Sequence, residues 1–277
     1  MDKLREKVRK LLQEGKVAGY VGYIMKDGHP LPHFFTKEHL EEVDRAIVAP
    51  GDARYPLDKL LQQVASRYPE EIFAIQVRGC DERGLNELYK WGQLDPEKVV
   101  LVGVACPQDQ ADYCECPGPW TSVIDYGEKC QPVAKSKRME RIDALAGEEA
   151  FQEWLGHFKK CVKCYGCRDI CPMCFCKECS LEHPDLMSTG LVPPDTIFQL
   201  VRAIHMAGRC IDCGLCEENC PADIPLRVLY KRGMPWCRNF SATRRGPRKP
   251  APPPGRCWEM SPPWKPSRCK KRFSVFG

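Results

Sequence analysis

Two cysteine runs in this chain superpose residue for residue. Cys161-x2-Cys164-x2-Cys167-x3-Cys171-Pro172 is followed by Cys210-x2-Cys213-x2-Cys216-x3-Cys220-Pro221. This is the spacing that wraps a 4Fe-4S cluster, present twice. Iron in such clusters is held by soft thiolate sulfur, and the two-residue gaps let one tight loop carry three ligands. The fourth ligand comes from elsewhere. Where two such runs share a fold, the last cysteine of each reaches the other cluster. The expected ligand sets are Cys161, Cys164, Cys167 and Cys220 for one cluster, and Cys210, Cys213, Cys216 and Cys171 for the second. Four-cysteine zinc sites usually arise from two CxxC pairs with a longer gap, a pattern these runs do not follow. The prolines after Cys171 and Cys220 suit a chain leaving the loop in a fixed, non-helical direction.

Whether thiols at this density mean disulfides or metal depends on compartment. The opening "MDKLREKVRKLLQEGK" is charged every two or three residues and has no apolar core, so it reads as an amphipathic helix rather than a secretory signal. The longest apolar stretches, such as "VVLVGVAC", are far shorter than the ~18 to 20 residues of a membrane span. A cytoplasmic protein is expected. The 277 residues and 43% apolar content suit one large or two modest domains. The net charge of +5 hides an asymmetry, because residues 238–277 carry eleven Lys or Arg against the single Glu259. The remainder is mildly acidic.

Residues 1–137 alternate short apolar runs with amphipathic segments, an α/β signature. "VAGYVGYIM" (17–25) reads as a strand, and "PLDKLLQQVASRY" (56–68) reads as a helix with Pro56 at its first position. The clearest unit is a strand at 72–77, a turn at 78–84, a helix from Leu85 and a strand at 99–104. Together these make a βαβ unit with parallel strands. A linker of one or two helices is expected over 138–160. The two-cluster α+β ferredoxin-like domain follows over 161–236, with a helix at 193–208 capped by Asp195 and stopped by Gly208. Residues 237–277, with eight prolines and the basic cluster in 238–277, read as a disordered tail. The abrupt change near Arg238 is also what a reading-frame shift would give. A nucleic-acid role for the tail, stacking bases on Trp258 and Trp264, is the weakest functional reading.

A second set of thiols follows from the βαβ unit. Cys80 comes just after its first strand and Cys106 just after its second, on the same edge of a parallel sheet, where α/β proteins place their functional groups. "CPQDQADYCEC" returns Cys114 and Cys116 toward Cys106. Cys80, Cys106, Cys114 and Cys116 are therefore a candidate additional metal site for iron-sulfur or zinc, with Cys130 in reserve; the alternative is four buried small hydrophobes. Cys174, Cys176 and Cys179 fall outside both cluster sets, and metal ligation, packing near a cluster and no role at all remain open for them. His205 reads as a core or supporting group, and His29 and His33 as members of a proline-rich loop. "RGCDERG" has no histidine nearby to activate its thiol, so no catalytic residue is assigned.

The segments "CVKCYGCRDICPMCFCKEC", "FQLVRAIHMAGRCIDCGLCEENCPADIPL" and "VRGCDERGLNEL" resemble iron-sulfur proteins related to the beta subunits of coenzyme F420-reducing hydrogenase and formate dehydrogenase, over most of residues 1–234. The resemblance implies an electron-transfer subunit of an anaerobic multi-subunit oxidoreductase. Its partners would be catalytic subunits of a hydrogenase, formate dehydrogenase or heterodisulfide-reductase-like complex, together with other electron carriers. The F420-active members also resemble flavoproteins with a glycine-rich segment that helps hold FAD. No such segment occurs here, "APGDARYP" having too few glycines to cradle a pyrophosphate, which argues against FAD. The alternative is an oxidoreductase beta subunit binding flavin or F420 at an active site of its own.

Overall fold

The computed structural model describes residues 1–48, 54–188 and 190–231. All lie in a unit spanning Met1–Thr243; the expected disordered tail lies outside the described residues. The chain begins with α1 (Asp2–Gln13), whose Leu4, Val8 and Leu12 recur every fourth residue and are fully buried. β1 (Gly19–Lys26) and β2 (His29–Phe35) form a hairpin. β3 (Ala46–Ile47), α2 (Leu57–Arg67), β4 (Phe73–Val77), α3 (Gly79–Lys90), β5 (Val99–Gly103) and the short α4 (Gln108–Tyr113) complete the α/β half.

The sheet runs in the order β2-β1-β4-β5, with β3 also pairing to β1. β4 pairs in parallel with both β1 and β5, which is the expected βαβ unit, while the hairpin and β3 pair antiparallel. Alternation along the strands sorts side chains to two faces. Tyr20, Ile24, Ala74 and Val102 face α1, and Val21, Tyr23, Phe73, Ile75 and Val77 face the core that includes α2 and α3.

Two local readings are corrected. Residues 29–35, expected as a proline-rich loop, form β2. Asp27 and Gly28, with φ of 51° and 78°, supply the left-handed turn that closes a tight hairpin, and prolines are tolerated because β2 is an edge strand. The turn expected at 78–84 is instead the start of α3, so Cys80 sits in a helical first turn. Asp81 Oδ2 accepts from the Arg78 backbone N–H at 2.8 Å and fixes that start. Gly79 and Gly84 serve close packing rather than turning. A Cβ at Gly79 would lie 2.0 Å from the Gly118 carbonyl oxygen, and one at Gly84 2.1 Å from Asp58 Oδ2.

α5 (Lys137–Asp143) and α6 (Gly147–Lys159) fill the expected linker. The cysteine segment carries α7 (Gly166–Asp169), α8 (Thr196–Met206), α9 (Leu215–Glu218) and a helix over 226–231, and its described residues form no strand, so the β part of the expected α+β domain is not found there. α8 ends as expected before Gly208, whose φ of 82° is the left-handed stop. Asp195 precedes α8 without capping it, because its carboxylate accepts from Ser188 Oγ at 2.7 Å. The core that contains Leu57, Ile75 and Leu88 continues without interruption through Cys171, Phe198, Met206, Cys216 and Tyr230. No helix among the described residues is long and apolar enough to cross a membrane.

Candidate metal centres

The two cysteine runs fold alike. In each, the residue before the second cysteine and the residue after it take left-handed backbone: Lys163 (φ 53°) and Tyr165 (φ 60°), then Asp212 (φ 62°) and Gly214 (φ 82°). A four-residue helix follows each turn, α7 and α9, carrying the third cysteine. This winding turns backbone N–H groups toward sulfur. The Lys163 N–H donates to Cys161 Sγ at 3.4 Å, the equivalent Asp212 N–H faces Cys210, and the Leu215 N–H faces Cys213.

Cys161, Cys164, Cys167 and Cys220 line one cavity, walled by Tyr165, Phe198 and Leu226. The fourth member therefore comes from the other run, as the crossed assignment requires. Gln199 Nε2 donates to Cys161 Sγ at 3.1 Å, and Gln199 is buried. Its Oε1 has no partner.

Cys210, Cys213 and Cys216 lie near enough to one another to oppose each other's ionisation. Cys216, Cys167 and Cys171 all face Tyr230. Burial pushes the thiols of Cys213 and Cys216 well above their ordinary value and that of Cys210 up to about 11. Buried thiols clustered in this way gain most from a cation that binds their thiolate form. In their donor chemistry both sets fit a thiolate-ligated iron-sulfur cluster.

Sequence reasoning passed over Arg202. It is 2% exposed, donates through Nη1 to Cys174 Sγ at 2.9 Å and through Nη2 to the Cys167 carbonyl at 2.9 Å, and stacks over Tyr230. The signal was present in α8, where Gln199 and Arg202 interrupt the buried face that Phe198 and Met206 define. Cys174 thus packs against Cys171 and Arg202, with its thiol pushed up chiefly by a hydrogen bond to Cys171. Cys176 is exposed, and Cys179 is partly buried beside Arg168. His205 is exposed near the end of α8, with Arg202 and Arg209 close by, and is not the core group expected.

The second thiol set also converges. Cys80, Cys106, Cys114 and Cys116 line a single recessed cavity at the carboxyl edge of β4 and β5. Cys130 lies in the adjoining cleft, which Cys106 also lines together with Arg78, Gln108 and Lys129.

No family model matches the sequence. Over 156 residues the chain is 37% identical to F420-dependent formate dehydrogenase subunit beta of Methanocaldococcus jannaschii, an overlap of 55% of this chain and 37% of that protein. Over 103 residues it is 47% identical to F420-dependent formate dehydrogenase 1 subunit beta of Methanococcus maripaludis, an overlap of 37% of this chain and 26% of that protein. The chain thus spans about a third of the length of the curated relatives it matches.

Proposed function

We propose that this chain, which is related to the beta subunits of F420-reducing hydrogenase and formate dehydrogenase, is an electron-transferring iron-sulfur subunit of an oxidoreductase complex. Cys161, Cys164, Cys167 and Cys220 would hold one 4Fe-4S cluster, and Cys171, Cys210, Cys213 and Cys216 the other. A 4Fe-4S cluster takes up and returns a single electron. The chain's own contribution is placement. The left-handed turns aim backbone N–H groups at sulfur, Gln199 donates to Cys161, and Arg202 sets a buried positive charge beside the first set. Aromatic and aliphatic walls limit water around the sulfurs. Two centres in one core form a relay between a catalytic partner and a second electron carrier.

The observation that carries this reading is the single cavity shared by three cysteines of the first run and the last cysteine of the second. Anaerobic reconstitution of the full chain, followed by iron analysis, tests it. The double variant Cys171→Ala/Cys220→Ala should bind roughly eight fewer iron atoms than it would with two intact four-iron clusters. Equal iron in the variant and the parent, or preferential zinc uptake by these eight cysteines, would sink the reading. Isolation from the native host should return a catalytic oxidoreductase subunit with the chain.

A second reading, a flavin- or F420-dependent subunit with its own active site, rests on the cleft at the strand ends lined by Arg78, Cys106, Gln108, Tyr126 and Lys129. A flavin absorption band in the purified complex that persists when the two clusters are removed by substitution would favour it.

A further inference from the structure

The lining of the cavity formed by Cys80, Cys106, Cys114 and Cys116 also includes Ala111, Pro119 and Asp212. Arg54, Arg78 and Gln110 share its lining. Gln110 Nε2 donates to Cys114 Sγ at 2.8 Å, and Arg83 Nη2 to Cys116 Sγ at 3.7 Å. Cationic and amide donors directed at sulfur stabilise thiolate rather than thiol. Four such sulfurs cannot all ionise in one recess without a metal to offset their repulsion.

Thiolate sulfur is the donor of iron-sulfur clusters, and a polynuclear cluster is held by ligands set around a cavity. Cys80, Cys106, Cys114 and Cys116 line one such cavity.

This recess also adjoins the second run. Cys213 lines it too. Arg54 donates to the Cys213 carbonyl at 2.9 Å, and Arg83, the residue that reaches Cys116, donates to the Ile211 carbonyl at 3.0 Å.

We infer that Cys80, Cys106, Cys114 and Cys116 bind a third iron-sulfur cluster, in electronic contact with the centre that includes Cys213. The inference builds on the proposed two-cluster relay and extends it into the α/β half. The step is a one-electron transfer: one centre is oxidised by one electron, its neighbour is reduced by one, and no bond is made or broken. Arg83 is a positioning residue, tying the Cys116 thiol to the backbone of the loop that carries Cys210 and Cys213.

The full chain, reconstituted anaerobically, should carry about twelve iron atoms, four per cluster. Cys80→Ala and, separately, Cys114→Ser should each bring this to about eight while circular dichroism stays that of the parent. Cys114 is only partly buried, so its serine variant guards against misfolding of the first. In the reduced Cys114→Ser protein, the EPR signal of the Cys213 centre should sharpen as its magnetic neighbour disappears. A parent protein with about eight iron atoms, unchanged by either substitution, overturns the inference and leaves the two-cluster reading standing. Loss of about four atoms in Cys114→Ser with no loss in Cys171→Ala/Cys220→Ala does the reverse. Zinc in place of iron at these four thiols, or an unaltered signal from the Cys213 centre, also overturns the inference.

Discussion

At the left-handed position before its second cysteine, the first run carries Lys163 and the second Asp212. Lys163 reaches outward to the Ser188 carbonyl at 2.6 Å and over the Phe198 ring. Asp212 turns inward, where it pairs with Arg227 and, at 2.6 Å, with Lys231. The neighbours follow the same division. Cys164 and Val162 of the first run are exposed. The second run has no exposed cysteine, and its helix α9 is tied by Glu218 to Arg54 and by Glu217 to Arg138. Identical spacing therefore fixes how each loop wraps its centre, while the residues between the cysteines decide which loop meets solvent and which meets the sheet. On the proposed ligation, the outer loop is the side open to an electron-transfer partner and the inner loop the side open to the α/β half.

The largest effect that could break this comparison comes from crossing the runs. Cys171→Ala should abolish the centre of Cys210, Cys213 and Cys216, and Cys220→Ala that of Cys161, Cys164 and Cys167, each with loss of about four iron atoms. Iron analysis combined with EPR of the reduced variants identifies which signal disappears. If each substitution instead removes the centre nearest in sequence, the loops are independent modules and the inner and outer distinction loses its basis.

A smaller effect sharpens the same contrast at matched positions. Asp212→Asn leaves Arg227, whose side chain is 4% exposed, facing a neutral group. Breaking one side of a buried pair costs about 3 kcal/mol, and in a chain of this size that lowers Tm by roughly 9 °C. Lys163→Asn removes a charge that bonds the Ser188 carbonyl and lies over the buried Phe198 ring, and asparagine tolerates the left-handed backbone, so the change should stay within about 1 kcal/mol. Thermal melts of the two variants under identical cluster loading measure the difference. Equal shifts would mean that the second loop is no more firmly anchored than the first.

These residues also show what the sequence can reveal. Cysteine spacing is a one-dimensional signal, and the wrap it encodes depends on contacts a few residues apart, so both loops were legible. The βαβ unit was legible for a similar reason: buried strands leave apolar runs, and two such runs flanking an amphipathic stretch admit few arrangements. From strand polarity alone it followed that Cys80 and Cys106 leave the same sheet edge, and the structure puts Cys114 and Cys116 in the same cavity. What escaped depended on distant partners. Gly79 and Gly84 looked like turn residues because nothing in the sequence announces that Gly118 and Asp58 press against them. β2 was hidden by prolines whose tolerance depends on where the strand falls in the sheet. Arg54 is 159 residues from the Cys213 carbonyl it holds, a separation at which no local pattern helps.

The smallest expected effect concerns the reduction potential of the outer centre and follows from Gln199 and Arg202. An added electron is stabilised by nearby positive charge and by N–H groups pointing at sulfur, and both act more strongly where water is excluded. Arg202 is buried beside Cys167 and Cys174, and its guanidinium faces the first run. Arg202→Met keeps the length of the stem while removing the charge, so the potential of the Cys161, Cys164, Cys167 and Cys220 centre should fall by about 60 mV, a tenfold change in a one-electron equilibrium. Gln199→Leu removes one neutral donor from Cys161 at nearly constant volume. Since a neutral hydrogen bond has about half the strength of a charge-assisted one, a fall of roughly 30 mV is expected. In Gln199→Leu the inner centre should move less than the outer, because the Gln199 amide bonds Cys161. Arg202 lies close to Cys171 and Cys216 as well as to Cys167, so Arg202→Met should lower both potentials. Redox titration followed by EPR reads the two potentials separately. A rise in the outer potential, or an equal shift of both centres in Gln199→Leu, would show that these side chains act through the general packing of the core and not through the sulfurs they face.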